Sequence, residues 1–274
     1  MTEPILLLRL EGPLQSWGVR SRWSRRDTGP EPSKSAIIGL LGCAAGILRP
    51  DWRSGTEPDR TLEQWDNALR FGVRIDRPGT IETDYHTVQG RFWQADGNMK
   101  TASHVSGAKP DKAEREPPHT EVTWRDYLHD AAFLVVLALK PEHGPGNRDL
   151  LGHLKERLQD PKWPLYLGRK SCVPTRPIFY RLTDEYDDLE IALHKVPWAP
   201  PRSPRSLQRA KQSPELLAWL ECQDGGRDRP DEEYERQDSL RLNQLRFYDF
   251  RRCRRIVIPA GSVPCEPVVV EVPA

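Results

Sequence analysis

Ile5 to Leu10 is an unbroken apolar run closed by the turn-forming Glu11-Gly12-Pro13, the pattern of a strand buried on both faces. No hydrophobic period follows between Gln15 and Pro32, a stretch rich in arginine and closed by Pro30 and Pro32, which reads as a loop. Ser33-Lys34-Ser35 then opens a run of small and apolar residues through Leu48, where serine suits a helix cap. The run is apolar on nearly every side, so the helix it predicts is buried. Gly39, Gly42 and Gly46 fall near one of its faces, which implies close packing of the helix on a sheet or close approach of a ligand backbone. Phe71 to Ile75 predicts a second strand, and the β-prone run Ala131 to Leu139 a central one. Apolar residues at positions 150, 151, 154 and 158 predict an amphipathic helix over Leu150 to Gln159, and Ile178 to Leu182 a further strand.

Two β-prone segments, Thr83 to Val88 and Val122 to Tyr127, are similar in polarity and predict a long hairpin. Asp96 to Glu121 between them is polar and rich in Lys, Glu, Gly and Pro, which predicts a mobile tip. Beyond residue 182 the pattern weakens. Pro197 to Pro204 reads as a linker, Pro214 to Leu220 as a short helix, and Ile256 to Val272 as strand material broken by prolines. The order strand, helix, strand, insertion, strand, helix, strand is that of an α+β, ferredoxin-like or RRM-like domain. Residues 1–182 form that domain, with 83–127 a β-hairpin thumb inserted in it, and residues 183–274 a small, mostly β C-terminal extension.

Composition narrows the partners more than the fold. The 41 basic and 40 acidic residues of the 274-residue chain leave a net charge of +1, so a nucleic acid must be met by a local patch. Two are visible: Arg20, Arg22, Arg25 and Arg26, and a second of Arg246, Arg251, Arg252, Arg254 and Arg255 interleaved with Phe247, Tyr248 and Phe250. Five widely spaced cysteines with no CxxC pair disfavour a disulfide framework and a structural zinc site, and fit a reducing cytoplasm. A cleavable signal and a membrane-spanning run are not expected.

Candidate chemistry is of the binding kind. Ser33-Lys34-Ser35 is not a nucleotide-binding P-loop, because Thr28 and Ser33 stand where that motif needs glycines. A helix start carrying two hydroxyls and an ammonium can still hold a phosphate, or serve as a plain cap. Trp17, beside Gly18 and the arginine loop, is a candidate base-stacking residue or a core side chain. The turn Tyr166-Leu167-Gly168-Arg169-Lys170-Ser171-Cys172 offers two cations and a hydroxyl to a phosphodiester, or is a solvated charged turn. Tyr85 and His86, with a lysine, could act as acid and base of a metal-independent ribonuclease, although a lone histidine is more often structural. No HxxxH or HExxH spacing supports metal hydrolysis.

Five segments taken together resemble the Cas-five family of CRISPR-associated proteins in its type I-E branch. They are Leu8-Arg9-Leu10-Glu11-Gly12-Pro13-Leu14-Gln15-Ser16-Trp17-Gly18, Pro32-Ser33-Lys34-Ser35 with Ile38-Gly39-Leu40-Leu41-Gly42, Asp84-Tyr85-His86-Thr87-Val88, Thr123-Trp124-Arg125-Asp126-Tyr127-Leu128, and the turn from Tyr166 to Cys172. The resemblance covers residues 1 to about 180. It implies a cytoplasmic subunit of the Cascade ribonucleoprotein of antiviral defence, one that holds the 5′ handle of the crRNA against the backbone subunit CasC and the large subunit CasA. It further implies no cofactor, no metal, no membrane partner and no homo-oligomer. A type I-C relative cuts precursor guide RNA itself, whereas type I-E systems use a separate endonuclease, so the expectation here is RNA binding without catalysis. A self-sufficient ribonuclease and a protein-only assembly factor are the alternatives. Phosphate contacts are expected from Arg20, Arg25, Arg26, Lys34, Ser35, Arg169, Lys170 and Ser171, with Gln15, Trp17, Tyr85 and His86 shaping the path of individual nucleotides.

Overall fold

The computed structural model describes residues 3–19, 24–48, 59–90, 92–93, 99–100, 119–143, 148–199, 215–222, 233–242 and 246–266. It is a mixed α/β fold in which strands dominate, with four α-helices among the described residues. β1 (Ile5–Glu11) is buried along its whole length, as its unbroken apolar run requires. The short strands β2 (Leu14–Gln15) and β3 (Arg25–Arg26) interrupt the loop that follows. α1 (Lys34–Ala45) starts at Ser33, whose hydroxyl accepts a hydrogen bond from the Ala36 amide at 3.3 Å. It stops short of Leu48 because Gly46 turns left-handed, with φ 76°.

Close packing is helix to helix at Gly42, while Gly46 packs against Lys162. A Cβ on Gly42 would lie 2.5 Å from Leu62 of α2 (Thr61–Ala68), while nothing approaches Gly39 within 4 Å. α2 itself is not evident from the sequence. After it come β4 (Leu69–Arg77), β5 (Thr80–Gly90), the two-residue pair β6 (Phe92–Trp93) and β7 (Met99–Lys100), β8 (His119–His129), β9 (Ala132–Leu139) and α3 (Arg148–Gln159). The chain ends with β10 (Phe179–Thr183), α4 (Leu189–Lys195), β11 (Glu215–Glu221), β12 (Glu233–Leu242) and β13 (Arg246–Pro259).

Seven strands form one antiparallel sheet in the order β10-β1-β9-β4-β11-β13-β12. Alternation along each strand divides its side chains between two cores. Leu6, Leu8 and Leu10 of β1 and Phe133, Val135 and Leu137 of β9 face Ile37, Ile38 and Leu41 of α1 and Leu151, Leu154 and Leu158 of α3. Ile5, Leu7, Leu134, Val136, Leu216, Ala218 and Leu220 face Leu189, Ala192 and Leu193 of α4. Of Pro214 to Leu220, expected as a helix, residues 215–220 are therefore part of strand β11, and Pro214 lies outside the described residues. Apolar side chains on both faces of a covered strand mask the two-residue period that would have marked it.

A buried charge cluster closes the second face. Arg74 donates to Asp76 at 2.6 and 3.3 Å, and Arg9 also donates to Asp76, all with fully buried side chains. The Ala199 amide donates to the same carboxylate at 2.8 Å, and both arginines reach the Pro197 carbonyl. Arg9 and Arg176 each meet Glu266, which follows an isolated bridge between Trp198 and Cys265. The expected linker thus begins as an anchored segment, and residues 200–204 of it lie outside the described residues. Burial would raise the Asp76 carboxyl, but Arg74 and Arg9 outweigh it and hold the group below the ordinary aspartate value.

The second sheet is built on β8. β5 pairs with it antiparallel over the full eleven residues of each, as the two β-prone segments predict. At one end β2 pairs through Leu14 with His129; further along, β3 runs parallel, with Arg25 beside Trp124 and Arg26 beside Arg125. Met99–Lys100 of the expected tip pair with Phe92–Trp93, His119–Glu121 belong to β8, and residues 96–98 and 101–118 lie outside the described residues. No helix among the described residues is long and apolar enough to cross a membrane.

Candidate nucleic-acid interface

Four of the expected nucleotide contacts, Gln15, Trp17, Lys34 and Ser35, are interior. Trp17 is 2 % exposed, and its indole donates to the Gln15 side-chain Oε1 at 3.1 Å. The buried Gln15 amide donates in turn to the Leu10 and Ala131 carbonyls at 3.1 and 2.8 Å, so both side chains tie β1 to β9 instead of facing solvent. Lys34 is 1 % exposed, its ammonium 2.9 Å from Glu221 of β11. Glu221 also takes Lys140 at 2.9 Å and the Phe71 amide at 3.2 Å. The Lys34 amide donates to Asp238, which holds Arg251 through both oxygens at 2.6 and 2.9 Å.

The helix start therefore anchors β11, β12 and β13 and leaves no ammonium for a phosphate. Burial draws the Lys34 ammonium below its ordinary value even though Glu221 pulls the other way. Ser35 is buried beside Ser33. Lys34→Met is expected to cost about 1–2 kcal/mol, less than a typical broken buried pair because Glu221 keeps Lys140 and the Phe71 amide. A chemical-denaturation midpoint unchanged by Lys34→Met would refute that role. Three arginines of the second basic patch are likewise engaged: besides Arg251 on Asp238, Arg252 pairs with Glu233 at 3.2 Å and Arg254 with Glu190.

The remaining expected residues gather where β3, β8 and the turn after Leu167 meet. Gly168 makes that turn possible, with φ 101° and its α-carbon so close to the Ser16 carbonyl that a Cβ would lie 1.8 Å from the oxygen. Ser16 N donates to the Leu167 carbonyl at 3.0 Å, fixing the turn to the loop after β1. Arg169 then stacks over Tyr127, 4.6 Å from the ring centroid, and donates to the carbonyls of Asp126, Arg26 and Asp27 at 3.0, 2.8 and 3.4 Å. Its guanidinium joins the arginine loop to the ribbon. Ser171 donates to the Tyr127 hydroxyl at 3.3 Å, and Lys170 is exposed. Arg20 lies outside the described residues.

Strand alternation sorts the rest by face. Arg26, Arg125, Tyr127, Asp84 and His86 share one side of the β5–β8–β3 sheet. Arg25, Trp124, Asp126 and Tyr85 share the other, where Arg25 meets Asp126 at 3.6 Å and Thr83 donates to it at 2.6 Å. Tyr85 and His86 consequently point apart and do not converge on one reacting atom. The His86 Nδ1 instead lies 3.8 Å from Asp84. Arg125 and Trp124, quoted in the sequence motif but not expected at the site, are in it through the β3 register, which no local pattern reveals.

A family model described as CRISPR-associated protein (Cas_Cas5) matches residues 5–253. The chain belongs to the Cas5 family. That match runs past the motifs at residues 1–180 and through β11 and β12 into β13, so the Cas5 pattern includes the strands anchored by Lys34 and Arg251. The chain is 32 % identical over 200 residues to the CRISPR system Cascade subunit CasD of Escherichia coli (strain K12), covering 70 % of this chain and 77 % of that protein. It superposes on a chain of a CRISPR RNA-guided surveillance complex with a TM-score of 0.64 at 28 % identity, covering 96 % of this chain and 95 % of the other. A crystal structure of a Cas protein matches at 0.55 and 31 % identity, covering 96 % and 99 % of the two chains.

Proposed function

We propose that this Cas5 chain is a non-catalytic RNA-binding subunit of a type I-E Cascade complex, holding the 5′ handle of the crRNA beside the backbone subunit CasC and the large subunit CasA. The observation that carries the reading is the cationic junction: Arg169 pins the Arg25–Arg26 strand to the ribbon, where Arg26 pairs with Arg125, and the exposed Lys170 follows Arg169 in the turn. Cations held by backbone contacts suit a phosphodiester path, because they need no reorganisation on binding and carry no base selectivity. The likeness to CasD and to a surveillance-complex chain supports the assembly context. The divergence of Tyr85 and His86 supports the non-catalytic half of the reading. The order β10-β1-β9-β4, with α1 after β1 and α3 after β9, supports a ferredoxin-like, RRM-like unit over residues 1–182, with 83–127 as its thumb. Residues 183–274 form the C-terminal extension, whose strands lengthen the same sheet.

Arg26→Ala, Arg125→Ala and Lys170→Ala together are expected to weaken binding of single-stranded repeat RNA by about tenfold or more near physiological salt. They should also flatten the salt dependence by roughly 0.7 in slope per lost phosphate contact. Filter binding of the full chain at four salt concentrations checks both. An unchanged slope in a variant that still melts cooperatively would transfer these residues to protein interfaces. Site-specific cleavage of the RNA without metal, abolished by His86→Ala, would establish the ribonuclease alternative instead.

A further inference from the structure

The face of the β5–β8–β3 sheet opposite Arg26 and Arg125 carries a row of three residues in register. Tyr85 of β5 is paired with Trp124 of β8, and Trp124 with Arg25 of β3, so the three side chains stand side by side across three strands. The row spans about 10 Å at normal strand spacing. All three are open to solvent: Tyr85 is 61 % exposed, Trp124 44 %, and the Arg25 side chain 68 %. The two rings meet edge to face, 5.9 Å between centroids and 69° between planes, which leaves a corner bounded by two aromatic planes with a cation at one end.

Large aromatics are normally withdrawn from solvent unless something covers them. Here the surroundings exclude an ordinary protein interface. Thr83 and Thr87 flank Tyr85 on its strand and Asp126 flanks Trp124, and the face adds only Ile81, 53 % exposed, and the half-buried Val122, so its apolar area is two rings and two aliphatic side chains, well below what a protein partner needs. A flat heteroaromatic group attached to an anion fits instead: it stacks on one ring, meets the edge of the other, and brings its phosphate to the guanidinium.

We infer that Tyr85, Trp124 and Arg25 form a stacking site for one unpaired nucleobase of single-stranded RNA, with Arg25 on the adjoining phosphate. The site rests on the RNA-binding reading above and adds to it a second, base-directed face, on the opposite side of the sheet from Arg26 and Arg125.

The test uses the full chain and eight-nucleotide oligouridines carrying 2-aminopurine at each position in turn. In the wild type, bound RNA should show strongly quenched emission at one position, because stacking on an aromatic ring quenches that base. Tyr85→Thr with Trp124→Thr, which keeps strand-forming residues, should restore the emission and lower affinity by about tenfold or more at unchanged salt slope. Arg25→Ala should flatten the slope by about one phosphate contact, and Tyr85→Phe with Trp124→Phe should behave as wild type. Bound RNA with no quenched position, or a threonine variant that binds and quenches as the wild type does, overturns the proposal and leaves the RNA-binding reading intact. A threonine variant that binds RNA normally but no longer joins its partner subunits overturns it in favour of a protein contact. A wild type that binds no RNA defeats the RNA-binding reading itself.

Discussion

Asp76→Ala is expected to lower the stability of the chain by about 3–5 kcal/mol, the cost of leaving a buried charge without its partner. For a chain of this size that corresponds to a fall in melting temperature of roughly 10 °C. The effect is large because one carboxylate neutralises two fully buried guanidiniums and accepts the Ala199 amide. Removing it leaves Arg9 and Arg74 facing each other across β9, compensated among the described residues by backbone carbonyls, Glu266 and the Tyr180 ring, 4.9 Å from the Arg9 guanidinium. Because the folded Asp76 carboxyl titrates below its ordinary value, its contribution is complete above the unfolded aspartate pKa. It is lost as pH falls through the lower, folded value. The wild type should therefore lose this advantage over Asp76→Ala only in strong acid. A difference in denaturation midpoint below about 1 kcal/mol at neutral pH, or one that vanishes already at mildly acidic pH, would show that the pair is not the anchor described.

Gly168→Ala should cost about 3 kcal/mol or more, combining a left-handed backbone with a methyl group driven into the Ser16 carbonyl. The turn cannot relax without releasing Arg169 from the Arg26 and Asp126 carbonyls, so the variant should lose RNA affinity as well as stability. Gly39→Ala is the matched control. That glycine sits inside α1 with nothing within 4 Å of an added Cβ, and alanine there should be neutral or stabilising by up to about 1 kcal/mol. Thermal melts of the two variants with equal midpoints would contradict the assignment of Gly168 as the pivot of the cationic turn.

Local features of the sequence were legible where one element decides them. The Ser33 cap, the apolar β1 and β9, and the matched polarity of β5 and β8 are each set by residues within a turn or a strand of one another. The sites were less legible because their meaning is settled by distant partners. Lys34 looks like a free phosphate ligand until Glu221 of β11 is brought to it, and Trp17 looks like a stacking residue until the Gln15 amide is seen holding it inside. Arg251 and Arg254 read as a basic patch because their acids, Asp238 and Glu190, lie 13 and 64 residues away. Trp124 gains its role only from the parallel pairing with Arg25, which depends on the path of a loop with no hydrophobic period.

The distances along the chain between these partners also bear on the order of events at the ribosome. Lys34 waits 187 residues for Glu221 and 204 for Asp238, and Arg9 waits 257 for Glu266. A nascent chain halted before β11 has the Lys34 ammonium at the start of α1 without Glu221, its salt-bridge partner, and one edge of β4 without its neighbour. Closing such long loops is entropically costly and slow, so the amino-terminal half emerges well before it can be completed. Translation must pass β11 before the Lys34 contact can form, and pass β13 before Arg9 meets Glu266.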